Sequence, residues 1–290
     1  MKRVLVAGAT GYLGGFVVQE FKNRGYFVRA LARTPAKLDH LQDSLDEVVK
    51  AEVTRPETLK GVCNDMDVVF SSIGITRQKD GLTFRDVDYQ GNKNLLNVAL
   101  EANVGKFIYV SVFNGRNLRH LDIVDAHECF VDDLKTSCID HSIIRPTGYF
   151  SDMEEFLDMA KKGRVYLIGS GQNRMNPIHG ADLAVICVNA MEQDNLEIDI
   201  GGPEVKTYRE IAELALEVAG KSIKVTCVPL WLMKIVIAGA RIFNRHQSEL
   251  LSFFTTASIS DNVAPAFGTY ALRAHFLECA LQQSQRRALH

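Results

Sequence analysis

Short apolar runs alternate with segments of helical spacing through the first half of the chain. The runs are Val4–Ala7, Phe27–Leu31, Val68–Ser72, Phe107–Val110 and Ser142–Ile144. Between them, Gly14–Arg24, Pro56–Cys63, Asn92–Ala102 and Ala126–Thr136 repeat apolar residues every three or four positions, which predicts helices. Strands separated by helices imply right-handed crossovers and a parallel sheet covered on both faces. The expected fold class is therefore α/β, a Rossmann-type doubly wound parallel sheet with a small C-terminal substrate-covering subdomain.

After Pro146 the pattern loosens into a short strand at Val165–Gly169, a turn-rich SGQNRMNP, a helix from about Ala181, a strand and turn at IDIGGPE, and a helix over Tyr208–Val218. Residues 1–150 are expected to form the Rossmann-type domain. Residues 151–290 would partly complete the sheet and partly form a small substrate or interaction subdomain, with Ser151–Lys162 over the pocket. The polar tail CALQQSQRRALH is expected to fray.

Only VPLWLMKIVIAGARIF, Val228–Phe243, approaches a membrane-spanning length, and Lys234 and Arg241 interrupt it. Two readings stand for it. It packs on the main domain, a protein partner or a second copy of the chain, or it touches a membrane surface with Trp231 and its cations at the interface. The Lys-Arg start resembles that of a signal peptide, but the apolar run that follows breaks at glycine, so the N-terminus reads as mature protein.

Composition narrows the function classes. A formal net charge of -2 over 290 residues gives no basic face for nucleic acid. The six cysteines lie far apart, without a CxxC pair, and read as reduced thiols of a cytoplasmic protein. No metal-ligand spacing and no Ser-His-Asp order stands out, so no metal is expected.

The most specific motif is VLVAGATGYLGG. It follows the first strand and opens a helix, the context a dinucleotide loop requires. Gly8 allows the turn out of the strand, Gly11 lets backbone approach a pyrophosphate, and Gly14 lets helix and strand pack closely. Thr10, Tyr12 and Leu13 complete the expected loop contacts.

The second strand ends in Arg33, with Lys37 one turn beyond, where an NAD site would place a carboxylate. A guanidinium fork suits a 2′-phosphate, so NADP is the expected cofactor, with NAD the alternative. Ser72, Ile73 and Gly74, and then Ser111 and Val112, end later strands and are expected beside the ribose and nicotinamide.

The GxxGxxG spacing resembles that of extended and atypical short-chain dehydrogenase/reductases. The stretches VDYQGNKNLLNVALEANVGKFIYVSV, SIIRPTGYFSDM and NPIHGADLA resemble segments of the NmrA-like and NAD(P)H-binding members. This resemblance implies that Pro146, Thr147, Gly148 and Tyr149 line the nicotinamide end. It implies structural roles for His179 and Asp182, the latter as cap of a helix beginning near Leu183. It also locates a departure. Where the family carries Tyr-x-x-x-Lys, this chain has Ile123 and His127. Related atypical reductases dispense with the tyrosine and usually keep the lysine.

His127 then has two readings, a ribose ligand or proton donor, or an inert helix residue in a protein that binds cofactor without catalysis. Ser111 and Tyr149 are further proton-donor candidates, against packing or backbone hydrogen bonding. The expected function is NADPH-dependent reduction of a small carbonyl, enone or quinone-like substrate. The alternatives are a non-catalytic NADP(H)-binding redox sensor or scaffold and, less favoured, a nucleotide-sugar epimerase or dehydratase.

Overall fold

The computed structural model describes residues 1–75 and 81–288. Its elements run β1 (Arg3–Ala7), α1 (Tyr12–Asn23), β2 (Phe27–Ala32), β3 (Glu47–Lys50), β4 (Val68–Ser71), α2 (Asn92–Glu101), β5 (Lys106–Val110), α3 (Asp122–Thr136), β6 (Asp140–Pro146), α4 (Phe150–Lys161), β7 (Val165–Ile168) and β8 (Arg174–Met175). They continue with α5 (Gly180–Asn189), β9 (Leu196–Ile200), β10 (Lys206–Thr207), α6 (Tyr208–Val218), β11 (Val225–Val228), α7 (Leu230–Phe243), α8 (Arg245–Ser258) and α9 (Leu272–Ala288). The chain divides into two compact units, Met1–Arg145 with Leu183–Asp199, and Pro146–Asp182 with Ile200–His290.

The first unit carries the expected Rossmann-type sheet, in the order β3-β2-β1-β4-β5-β6-β9. The pairings from β3 through β6 are parallel. The order reverses between β1 and β4, where open α/β sheets bind ligands beyond their strand ends. Both faces are covered, so the central strands are mostly apolar; Val4–Ala7 and Lys106–Val110 are buried residue for residue. One core joins Leu5, Leu95, Phe107, Phe130, Leu134 and Ile143.

Two local readings are corrected here. Pro56–Cys63 is no α-helix but a 3-10 turn over Pro56–Leu59, since Pro56 and the left-handed Gly61 punctuate a segment too short to extend. β3 was not expected. Its four residues, EVVK, alternate half-buried and exposed at the sheet edge, too brief a pattern to mark a strand.

In the second unit, α4, α6 and α9 gather Phe150, Leu157, Ile211, Leu216, Leu272 and Phe276 into a separate core. A Thr207–Glu210 capping box starts α6. Strand β7 pairs with β11 in parallel, and β8 with β10 antiparallel. The C-terminal residues expected to fray continue α9 as far as Ala288, because Leu272 and Phe276 anchor that helix in the core; the last two residues lie outside the described range.

The apolar segment at 228–243 begins as the end of β11 and becomes α7, which packs on α8 yet has no buried residue. Trp231 is 64% exposed and Phe243 90%. Among the described residues, no helix is long and apolar enough to cross a membrane.

Candidate cofactor site

The turn from β1 into α1 is built so that side chains would obstruct it. Gly8 has φ +92, and a Cβ there would stand 2.7 Å from Ser72 Oγ. A Cβ on Gly14 would overlap the Gly8 carbonyl. The Gly11 N–H donates to Gly8 O at 2.9 Å, closing the turn. Helix α1 then starts with no side-chain cap and no acidic residue in its first turn, which leaves its positive end to an anion. A pyrophosphate fits this cradle.

A cleft opens in front of the turn. Gly8, Thr10 and Gly11 line one wall; Ala32, Arg33 and Glu52 line another; Ser72, Ile73 and Gly74 form the third. Arg33 Nη1 lies 4.0 Å from Glu52 Oε1, and the arginine side chain is half exposed. Glu52 Oε2 also takes an ion pair from Arg55 at 3.2 Å. Glu52 went unrecognised in the sequence because it follows β3, the strand that the pattern did not show. Lys37 is exposed in the 3-10 segment after β2 and is absent from this lining, as is Val112. Tyr12 packs edge-on against Phe16, and Leu13 is buried in the inward face of α1.

His127 belongs to the floor beneath this cleft. On α3 the buried positions Ile123, Ala126, His127, Phe130, Val131 and Leu134 form one stripe, so helical spacing turns the imidazole inward. There Tyr109 Oη lies 2.6 Å from Nδ1, and Asp88 Oδ1 lies 3.1 Å from Nε2. Both ring nitrogens are therefore engaged within the protein. The imidazole thus bridges the Tyr109 hydroxyl and the Asp88 carboxyl, one through each ring nitrogen.

Asp88 is buried within a π-helical stretch, Arg85–Gly91, that runs into α2. Burial raises its pKa, and the hydrogen bond and charge of His127 oppose that rise. Its oxygens accept the Ile75 N–H at 3.3 and 3.4 Å. Asn92 holds the same loop from the next turn. Its amide donates to Ile73 O at 3.3 Å, and its Oδ1 accepts from Ser71 Oγ at 2.5 Å. A Cβ on Gly74 would stand 3.0 Å from Asp88 Oδ1 and 3.5 Å from His127 Cε1. Asp88, Asn92 and His127 thus hold the cleft wall that residues 72–75 provide.

Ser111 faces another network. Its hydroxyl donates to Glu128 Oε1 at 3.0 Å, and Glu128 is bound through both oxygens by Arg145, each at 2.9 Å. Arg145 also pairs with Glu197, as do Arg116 and Lys135. Burial raises the Glu197 pKa, but the Lys135 hydrogen bond, the Arg145 charge and Arg116 outweigh it and hold the acid at about 2. The Ser111 proton is thereby committed to a paired carboxylate.

Pro146, Thr147, Gly148 and Tyr149 stand in the second unit. Thr147 Oγ1 donates to Asn176 O at 2.6 Å, and the Tyr149 N–H donates to Asp152 as part of the α4 cap. His179 stacks on Tyr270 with ring centroids 4.2 Å apart. Asp182 lies within the first turn of α5 rather than before it. Its Oδ2 accepts the N–H groups of Thr269 and Tyr270, each at 3.1 Å, so it secures that loop and caps no helix.

Comparison with known proteins places these features. Residues 8–194 match the model of the NAD(P)H-binding family. The chain is 26% identical over 266 residues to the photosystem II assembly factor Ycf39 of Trieres chinensis, covering 90% of this chain and 80% of that one. It is 26% identical, over an alignment of 312 positions, to the chloroplast divinyl chlorophyllide a 8-vinyl-reductase of Zea mays, covering 94% and 78%. An NADPH-dependent quinone oxidoreductase from Escherichia coli, solved with NADPH, superposes with a TM-score of 0.77 at 16% identity, covering 96% and 99%.

Proposed function

Since the chain belongs to the NAD(P)H-binding family, we propose that it is an NADPH-dependent reductase acting on a conjugated carbonyl, enone, quinone or vinyl acceptor. The observation that carries the cofactor preference is Arg33, directly after β2 in the wall of the glycine-loop cleft, at the position where an NAD site carries a carboxylate. The acceptor class is supported by the relatives: one reduces a vinyl group on a chlorophyllide and another is a quinone oxidoreductase.

NADPH supplies the hydride when bound. The chain's part is to bind and orient. The first turn of α1 and the glycine turn take the pyrophosphate, and Arg33 takes the 2′-phosphate. The Asp88–His127–Tyr109 chain acts one layer below, by fixing residues 72–75. In this reading His127 is a positioning residue, and contact with a ribose would require it to exchange a bond to Asp88 or Tyr109.

A second reading, an NADP(H)-holding scaffold, draws on four observations. Ile123 stands where the acid–base tyrosine would be, and both nitrogens of His127 are engaged. Helix α7 presents an apolar surface with no buried residue. One relative is an assembly factor. The test is NADPH and NADH titration followed by NADPH oxidation over quinone, enone, carbonyl and vinyl-tetrapyrrole panels. Turnover on a conjugated acceptor supports the reductase. Tight NADPH binding without turnover on any panel overturns it in favour of the scaffold.

A further inference from the structure

Within the second unit, α4 and α9 bring together three side chains of different donor type. His275 and Cys279 lie one turn apart on α9, and Glu154 reaches them from α4. His275 Nε2 is 3.2 Å from Glu154 Oε1 and 3.6 Å from Cys279 Sγ. The three donor atoms all lie within 4.8 Å of one another. The imidazole is held by rings on two sides, Phe150 at 5.5 Å and His179 at 5.7 Å between centroids. Its side chain is 10% exposed, whereas Glu154 is 39% exposed, so the cluster opens on one side only.

The Cys279 thiol and the Glu154 carboxylate converge on the same imidazole nitrogen, three donors of the kind that a single ion can share. Tetrahedral zinc has bonds of about 2.0–2.1 Å to nitrogen, about 2.0–2.2 Å to oxygen and about 2.3 Å to sulfur. Those lengths put nitrogen about 3.3–3.5 Å from oxygen and about 3.6 Å from sulfur. The nitrogen–sulfur separation of 3.6 Å equals that edge, the nitrogen–oxygen separation of 3.2 Å is just under its own, and the oxygen and sulfur lie within 4.8 Å of each other. Calcium and magnesium are disfavoured, because they call for oxygen donors throughout.

We propose that Glu154, His275 and Cys279 form a binding site for a borderline-soft divalent ion, zinc foremost, with a fourth position left to water or a small ligand. The ion joins α9 to α4, adding a link to a C-terminal helix otherwise anchored by Leu272 and Phe276. Binding replaces the Cys279 thiol proton with a metal–sulfur bond and releases that proton to solvent; no electron changes hands. The sequence gives no hint of this site, because Glu154 precedes His275 by 121 residues.

The test uses the full chain, stripped with a chelator and titrated with Co²⁺ and then Zn²⁺. One Co²⁺ per chain is expected, with a thiolate-to-cobalt charge-transfer band that stoichiometric Zn²⁺ removes. Cys279→Ser should abolish the band. His275→Ala and Glu154→Gln should each weaken binding by about tenfold or more, at least the loss that mutating a ligand's outer-shell partner brings. Substituting the exposed Cys138 and Cys227 by serine should leave the band intact. Zn²⁺ should also raise the thermal midpoint of the wild type and not that of Cys279→Ser. Absence of a charge-transfer band, or one that survives Cys279→Ser, overturns the proposal. Circular dichroism checks that each variant folds, and the half-exposed Glu154→Gln supplies the test should His275→Ala not fold.

Discussion

His127 Nε2 lies 3.1 Å from Asp88 Oδ1, and the carboxylate at the other end of that contact accepts the Ile75 N–H from the cleft loop. The imidazole is thereby linked to the cofactor wall through a second residue.

Replacing His127 by alanine removes the partner of a buried acid and takes one hydrogen bond from the Tyr109 hydroxyl. A loss of about 2–4 kcal/mol in denaturant unfolding is expected. NADPH affinity should fall with it, as the 72–75 loop loosens, while Asp88→Asn, which keeps an acceptor for Ile75, should be milder. Affinity and turnover both unchanged in His127→Ala would remove this residue from the site.

Gly14→Ala tests the cradle. Its methyl group would overlap the Gly8 carbonyl, and neither backbone can retreat without opening the turn. Stability should drop by about 3 kcal/mol, and isothermal titration should show no NADPH binding. An alanine variant that binds NADPH normally would mean that the turn is not the pyrophosphate site.

Arg33 and Glu52 should act in opposition. Arg33→Ser is expected to weaken NADPH by about tenfold to a hundredfold, the cost of one charged hydrogen-bonding contact, with little effect on NADH. Glu52→Gln removes a carboxylate from the same wall and should tighten NADPH. Equal losses for both cofactors in Arg33→Ser would contradict a 2′-phosphate role.

Glu197 gives the first unit a defined acid sensitivity. Its folded pKa of about 2 lies below the ordinary 4.5, so the folded chain binds the proton more weakly than the unfolded chain. The resulting stability is full above about pH 4.5 and disappears as pH falls toward 2; it amounts to on the order of 2 kcal/mol after solvent screening. Glu197→Gln should flatten the pH dependence of unfolding over that window. An unchanged slope would show that the three cations do not act through this acid.

The paired buried charges make a stronger claim. Arg145→Met leaves Glu128 without its bidentate partner at a position 2% exposed, and about 3–5 kcal/mol should be lost. The companion Glu128→Gln should recover part of that loss when combined with it, which a double-mutant cycle measures.

Local periodicity was enough for the strands and helices that bury one whole face or both. Val4–Ala7, Phe107–Val110 and the stripe on α3 announce themselves because burial leaves no freedom in residue type. The glycine turn was legible for a similar reason, since Gly8 and Gly14 meet backbone that excludes any other residue. What escaped notice depends on distance along the chain. Tyr109 and Asp88 meet His127 only once β5, the π-helical turn and α3 have packed. Glu52 reaches the cleft through β3, a strand whose four residues are half exposed. Likewise α8 and α9 carry broken patterns, and only a few side chains, such as Phe276, tie them down.

The interleaving of the first unit has a consequence for how the chain is made. Strand β9 completes the sheet beside β6, yet it is synthesised only after residues 146–182. A nascent chain from which residue 150 has emerged, but not β9, therefore exposes the backbone of β6 as an unpaired edge, open to pairing with another chain. The glycine loop and its cleft can be assembled by then, while the sheet remains unfinished at its far side. Ribosome pausing before residue 199, or an internal stop in that interval, should yield a species able to hold nucleotide and prone to aggregate.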